Sequence, residues 1–368
     1  MPILMAPTPI TYKYMSLSIG IVGLPNVGKS SLFNILTKKS VEAANYPFCT
    51  IDPNVGVVKV PDQRLDKLAS ISKPAKIIPT AIEFVDIAGL VAGASKGEGL
   101  GNQFLAHIRE CDAICEVVRN FQDKNIIHVS GEVNPKEDKE TINLELILAD
   151  LGSVGKRLEK TRKESKSGNK ELINQANILD KIYQHLEQGL AIRSLEFTEE
   201  ELPFVKSLNL LTIKPIIYLL NADDLENLPD LGELDGGIIA VNVKMEAEIT
   251  ALPEEEQAEY IQELGLKQSG LDKLIAASYK LLGLDTFFTT GADETRAWTI
   301  KKGAKAPEAA GVIHTDFIKG FIRAEVINWE QFVNIGSEAK AREQGLMRTE
   351  GKDYVVKDGD ICNFLVNR

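Results

Sequence analysis

The sequence predicts an α/β chain: a mostly parallel sheet, interrupted by an antiparallel helical hairpin and followed by a smaller α+β module. Three observations predict it. Gly23-Leu24-Pro25-Asn26-Val27-Gly28-Lys29-Ser30 is a complete G-x-x-x-x-G-K-S motif between a strand-like run and a helix-like one. Two stretches between residues 134 and 203 carry apolar residues at steps of three and four. From Thr286 onward, short alternating runs and turns replace that period.

At 368 residues the chain is long enough for two or three domains, and with 44% hydrophobic and 26% charged residues it can bury a sizeable core. No apolar run reaches the length of a membrane span and nothing resembles a signal peptide, so a cytoplasmic protein without a membrane partner is expected. Met1 to Ser16 precede the first strand and read as an arm, or as an upstream start before Met15. Cys49, Cys111, Cys115 and Cys362 lack zinc or redox spacing and read as ordinary reduced thiols. A net charge of -11 and a pI near 5.1 argue against a general nucleic-acid coat, and no DNA specificity is expected. Any nucleic-acid partner must be met by a local basic patch.

Leu17 to Val22 suits a buried parallel strand, and Leu32 to Leu36 reads as the first turns of a helix. Between them, backbone N–H groups from Asn26, Val27 and Gly28 through Lys29, Ser30 and Ser31 converge on phosphate oxygens. Lys29 reaches the terminal phosphates and the Ser30 hydroxyl ligates Mg2+. The competing explanation is a glycine-rich turn that matches by accident. Ala81 to Ile87 forms a strand-like run ending in Asp86-Ile87-Ala88-Gly89, a D-x-x-G motif; Asp86 would hold Mg2+ through water and the Gly89 N–H would sense the γ-phosphate. Thr50 lies where switch proteins place a second magnesium hydroxyl. Phosphate loop, threonine and D-x-x-G in this order specify a phosphate-loop NTPase of the GTPase type.

Lys214 to Asn221 is a strand ending on Asn221-Ala222-Asp223-Asp224, the place of the base-reading N-K-x-D element. Ala222 replaces the lysine that covers the base, which removes half of the guanine device. Adenine presents an acceptor where guanine presents a donor, so the Asp224 carboxylate cannot read it bidentately. The Asn221 amide or nearby backbone would have to do so. Chemistry alone leaves ATP and GTP both open.

Four blocks, at residues 23–34, 45–56, 84–105 and 314–326, closely resemble the YchF family, also called Obg-like ATPases, and the likeness runs from Leu17 to the C-terminus. The resemblance implies a nucleotide-binding domain, a helical insertion and a C-terminal TGS domain of ubiquitin-like fold. It implies ATP hydrolysis, with some GTP use, and association with the ribosome and its large subunit. Leu90 stands where ordinary GTPases carry the glutamine that orients the attacking water, and an apolar side chain cannot do that work. The family's proposed substitute is a histidine on a mobile loop, which His128 matches; the alternative is a loop histidine with no chemistry. Glu116 stands where relatives often show a second histidine. Asn26 matches an asparagine that helps bind a monovalent cation such as K+ beside the β- and γ-phosphates, or it only shapes the turn. The family's base-reading acid is usually Glu; the shorter Asp224 favours GTP, and Ala222 favours ATP.

The expected domains are nucleotide binding at 17–133 and 204–285, the hairpin at 134–203, and TGS at 286–368. Leu144, Ile147, Leu151, Val154 and Leu158 make one hairpin seam; Leu172, Ala176, Leu179, Tyr183, Leu186 and Leu190 make the other. The turn end is basic, with Lys156, Arg157, Lys160, Arg162, Lys163, Lys166 and Lys170, and suits ribosomal RNA; a merely solvated tip is the alternative. Ile238 to Val241 closes the nucleotide sheet, and Asn242-Val243-Lys244 takes the place of a final base-edge loop. The C-terminal module is expected to hold strands at 297–300, 320–326, 353–356 and 361–364 and a helix from Ala309 to Ile318. Arg296, Lys301, Lys302, Lys305, Lys319 and Arg323 are a candidate contact face on it. The function expected is an ATP-driven switch linked to translation; a GTP-specific assembly GTPase, or a scaffold that holds nucleotide without hydrolysis, are the alternatives.

Overall fold

The computed structural model describes residues 17–40, 52–87, 100–128 and 131–367. Thr50, Gly89, Leu90 and the segment 1–16 lie outside the described residues. The nucleotide part begins with β1 (Ser18–Val22), which turns through residues 23–28 into α1 (Lys29–Lys38). Next come β2 (Val55–Lys59), α2 (Gln63–Ser72), β3 (Lys76–Ile78) and β4 (Ala81–Asp86). Then follow α3 (Leu100–Glu110) and β5 (Ala113–Asn120).

After β5 the chain leaves the sheet for the insertion: α4 (Pro135–Ser165), α5 (Lys170–Glu187), one 3-10 turn (Ile192–Ser194) and α6 (Leu202–Ser207). It returns through β6 (Ile216–Ala222) and β7 (Gly237–Val241), then α7 (Val243–Ala251), α8 (Glu254–Glu263) and α9 (Gly270–Leu281). The first sheet has the order β2-β4-β1-β5-β6-β7, all parallel except β2. β6 is buried along its whole length and β5 along all but its last residue, as strands covered on both faces must be, and this is why they read as near-continuous apolar runs. The carboxyl ends of β1, β4, β5 and β6 therefore meet at one rim, the usual ligand edge of an open α/β sheet.

The hairpin forms for the reason its period suggests. Asn134 caps α4 by accepting from the Glu137 N–H, Pro135 sits in the first turn, and Asn169 caps α5 through the Glu171 N–H. Ile147, Val154 and Leu158 of α4 pack against Ile178, Leu179, Ile182 and Leu186 of α5. Two seam positions are corrections: Leu144 and Leu190 are exposed. The root of α4 has another face to bury, and Ile142 and Leu146 go into the core of the nucleotide sheet, which turns Leu144 outward. The insertion also extends past its expected end, since Val205 and Leu210 join the hairpin core and the sheet resumes only at Ile216.

The C-terminal part contains β8 (Leu284–Thr290), β9 (Glu294–Lys301), α10 (Ala306–Ile313), α11 (Asp316–Gly320) and β10 (Phe321–Asn328). It ends with α12 (Trp329–Ile335), α13 (Glu338–Glu343), β11 (Arg348–Glu350) and β12 (Asp360–Val366). Its sheet runs β11-β10-β12-β8-β9-β3, so a strand from the first part of the chain completes its edge. Leu65 and Leu68 of α2 pack with Phe288, Ile327 and Phe332, and Arg64 bonds Asp358 at 2.6 Å. Residues 62–78 thus belong physically to the C-terminal sheet, against the expected division. The expected single helix is broken at His314, whose φ of -157° is extended, and Asp353 to Val356 contributes only one bridge, Val355 to Lys305.

Candidate functional site

The phosphate loop is shaped by three left-handed positions and two close approaches. Gly23, Asn26 and Gly28 have φ of 151°, 64° and 101°. A Cβ on Gly23 would come within 2.5 Å of the Val117 carbonyl oxygen, and one on Gly28 within 2.5 Å of Asn221 Nδ2. Only glycine fits both places. α1 then starts at Lys29 with no side-chain cap and no acidic residue in its first turn, leaving its N–H groups for an anion. Ser30 and Ser31 are exposed on that turn.

Lys29 is buried and donates to the Leu24 carbonyl at 2.7 Å. Burial lowers its pKa from 10.5 to about 8, opposed by the charge of Asp86. Asp86, at the end of β4, is pushed upward by burial, with Lys29 opposing. The two charges of the motif thus sit near each other in a poorly hydrated rim, a situation that a charged phosphate and a divalent cation would relieve. Ser30 and Asp86 supply the hard oxygen donors magnesium prefers, so the residues described fit that ion.

At the other end of the site, the expected base readers are already engaged. Asn221 Nδ2 donates to the Val27 carbonyl at 3.0 Å, and its Oδ1 accepts from the Val243 N–H at 3.2 Å. Its amide therefore braces the phosphate loop against the start of α7. Ala222 is buried. Asp224 accepts from the N–H groups of Glu226 and Asn227 and from Asn227 Nδ2, and these bonds lower its pKa. Asn242 caps α7 through the Met245 N–H instead of offering its side chain to a base.

A second set of contacts joins the loop to the insertion. Arg119, almost wholly buried at the end of β5, reaches the carbonyls of Asn26 at 3.5 Å, Ile126 at 3.1 Å and Phe121 at 3.3 Å, and lies over the Phe121 ring at 4.4 Å. Asn26 Nδ2 donates to the Ile127 carbonyl at 3.2 Å. His128, expected on a mobile loop beside the phosphates, is buried, with Nε2 2.9 Å from Asp138 Oδ2 in the first turn of α4. Sequence reasoning passed over Arg119 and Asp138. The signal for Arg119 was a charge near the end of a strand that is apolar apart from Glu116 and Asn120; Asp138 looked like any acid in a helix's first turn.

Glu116 is fully buried in β5, and neither carboxylate oxygen finds a hydrogen-bond partner among the described residues. Burial holds its carboxyl well above the ordinary range. It does not face the phosphate loop's polar groups by any bond.

A family model described as a 50S ribosome-binding GTPase matches residues 18–150, and a YchF C-terminal model described as a protein of unknown function matches 284–367. The chain is 54% identical over 365 residues to a Bacillus subtilis protein named ribosome-binding ATPase YchF, covering 96% of this chain and all of the relative. An Escherichia coli O157:H7 protein of the same name is 53% identical, again over 96% of this chain and all of the other. The chain belongs to the YchF family. The solved YchF GTPase of Schizosaccharomyces pombe superposes with a TM-score of 0.85 at 41% identity, covering 95% of this chain and 98% of that one. The YchF C-terminal match begins where β8 begins. Among the described residues no helix is long and apolar enough to cross a membrane.

Proposed function

We propose that this chain is a ribosome-associated phosphate-loop ATPase that hydrolyses ATP ahead of GTP and works as a translation-linked switch. The observation that carries the base preference is the engagement of Asp224: Oδ1 already accepts from the Glu226 and Asn227 N–H groups and Oδ2 from Asn227 Nδ2, and a bidentate guanine contact would have to compete with these bonds. Ala222 adds to this, since no lysine stem covers the base. GTP remains the second reading because Asp224 is the guanine-type acid.

Asn26, Val27, Gly28, Lys29, Ser30 and Ser31 would hold the phosphates, with Gly89 at the γ-phosphate. Ser30 and Asp86, with Thr50, would hold Mg2+, which neutralises charge on the β- and γ-phosphate oxygens when bound. The Asn26 amide gives one N–H to the Ile127 carbonyl, and its oxygen would face K+. Water attacks the γ-phosphorus and the bond to the ADP oxygen breaks, with His128 proposed to orient that water in place of Leu90.

All seven basic residues of the hairpin tip are exposed, which supports a contact with large-subunit RNA. On the TGS-like module Arg296 stacks on Trp298 at 4.0 Å, and Lys301, Lys302, Lys319 and Arg323 are exposed. Replacing Lys156, Arg157, Lys160 and Lys163 by Glu is expected to abolish co-sedimentation with large subunits and leave hydrolysis by the free protein unchanged. Undiminished co-sedimentation would remove the tip from the interface.

A further inference from the structure

The contacts around His128 form a continuous path. Arg119 grips both Asn26 and Ile126 through their carbonyls, the phosphate loop's Asn26 side chain holds the Ile127 carbonyl, and the residue after Ile127, His128, is bonded to Asp138. Asp138 lies in the first turn of α4, whose 31 residues form a rigid rod of about 46 Å leading to the basic tip. One end of the path touches the nucleotide site and the other is the root of the element that carries the partner surface.

We propose that the His128–Asp138 contact is a latch: Asp138 stores His128 in the core, away from the phosphates, and tilting of α4 releases it. Asp138 is therefore a positioning residue, and the inference rests on the reading of His128 as the water-orienting group. Both side chains are nearly inaccessible, at 2% and 6% exposure, so His128 cannot meet a water on the γ-phosphate without leaving this partner. The path is contiguous, so nucleotide at Asn26 and load on the hairpin bias the same equilibrium. A purely structural cross-link between loop and helix would hold the same residues together, and the two accounts differ in what cutting the bond does to turnover.

Asp138→Asn in the full chain keeps the shape and removes the charge. The latch predicts that free-protein kcat rises about tenfold at unchanged KM for ATP, that the His128 ring resonances, assigned with His128→Ala, move on the substitution, and that the rise disappears in the double variant. Unmoved ring resonances overturn the latch alone. A moved ring with unchanged or lowered kcat also overturns it and leaves the structural cross-link. A moved ring with turnover indifferent to His128→Ala in both backgrounds shows that the water-orienting reading has failed, and the latch's regulatory meaning with it. Should Asp138→Asn not fold, the parent chain titrated with a nonhydrolysable ATP analogue gives the same decision: the latch predicts a His128 ring shift that Asn26→Ala attenuates, and a ring that ignores nucleotide contradicts it.

Discussion

The two ends of the nucleotide site are built in opposite ways. At the phosphate end the backbone is shaped for a ligand: a capless helix start, exposed Ser30 and Ser31, and a Lys29–Asp86 pair left short of solvation. At the base end the two side chains expected to read a purine are already bonded within the protein, Asn221 to Val27 and Val243, Asp224 to its own turn. Phosphate recognition therefore draws on main-chain geometry that a short motif encodes. Base recognition draws on whatever the surrounding bonds leave free, which no motif encodes.

The largest effect that sharpens this contrast is at Lys29. Lys29→Ala should weaken ATP and GTP alike by more than about a hundredfold, since a charge-assisted contact to the β- and γ-phosphates is lost. The fold should not suffer, because burial already disfavours this ammonium. Calorimetric binding beside a urea melt separates the two, and a loss of stability matching the loss of binding would mean the lysine is structural.

Asn221→Ala follows in size. It cuts both bridges from the phosphate loop to α7 and should destabilise the chain by about 1–3 kcal/mol. Affinity for ATP and GTP should fall by the same factor. A change in the ratio of the two would show that Asn221 reads the base after all.

Proton linkage at Lys29 gives the next. Burial depresses its pKa to about 8 from 10.5, so between those values the unfolded chain holds a proton that the folded chain lacks. Stability from this group therefore rises with pH across that window, and below about 8 the fold carries the whole cost of the buried charge. Triphosphate favours the charged lysine, so binding should take up a proton above pH 8 and weaken by up to about tenfold per unit. Heats of binding in buffers of different ionisation enthalpy check this; proton release would contradict it. The smallest effect is at Asp224: substitution by Ala should alter ATP affinity by less than about threefold in a competition titration, because its oxygens serve the local turn.

Much of the architecture was legible because its cause is local. The strand, loop and helix around Gly28 and the two hairpin seams follow from period and from glycine's freedom at positive φ. What escaped was decided by distant partners. The apolar period of α2 reads the same whether Leu65 and Leu68 cover the nucleotide sheet or, as they do, Phe288 and Phe332 of the other. Leu144 keeps the heptad step, yet its neighbours Ile142 and Leu146 are claimed by the sheet core. His128 was visible as a residue type, but its burial depends on Asp138 ten positions on, and Asn221 on Val27 194 positions away.

One titration tests the base end directly. ATP and GTP compete for the intact chain in potassium and then in sodium, with phosphate release followed in the same samples. ATP binding tighter than GTP, with turnover faster in potassium, is the predicted result; GTP binding a hundredfold tighter would contradict it.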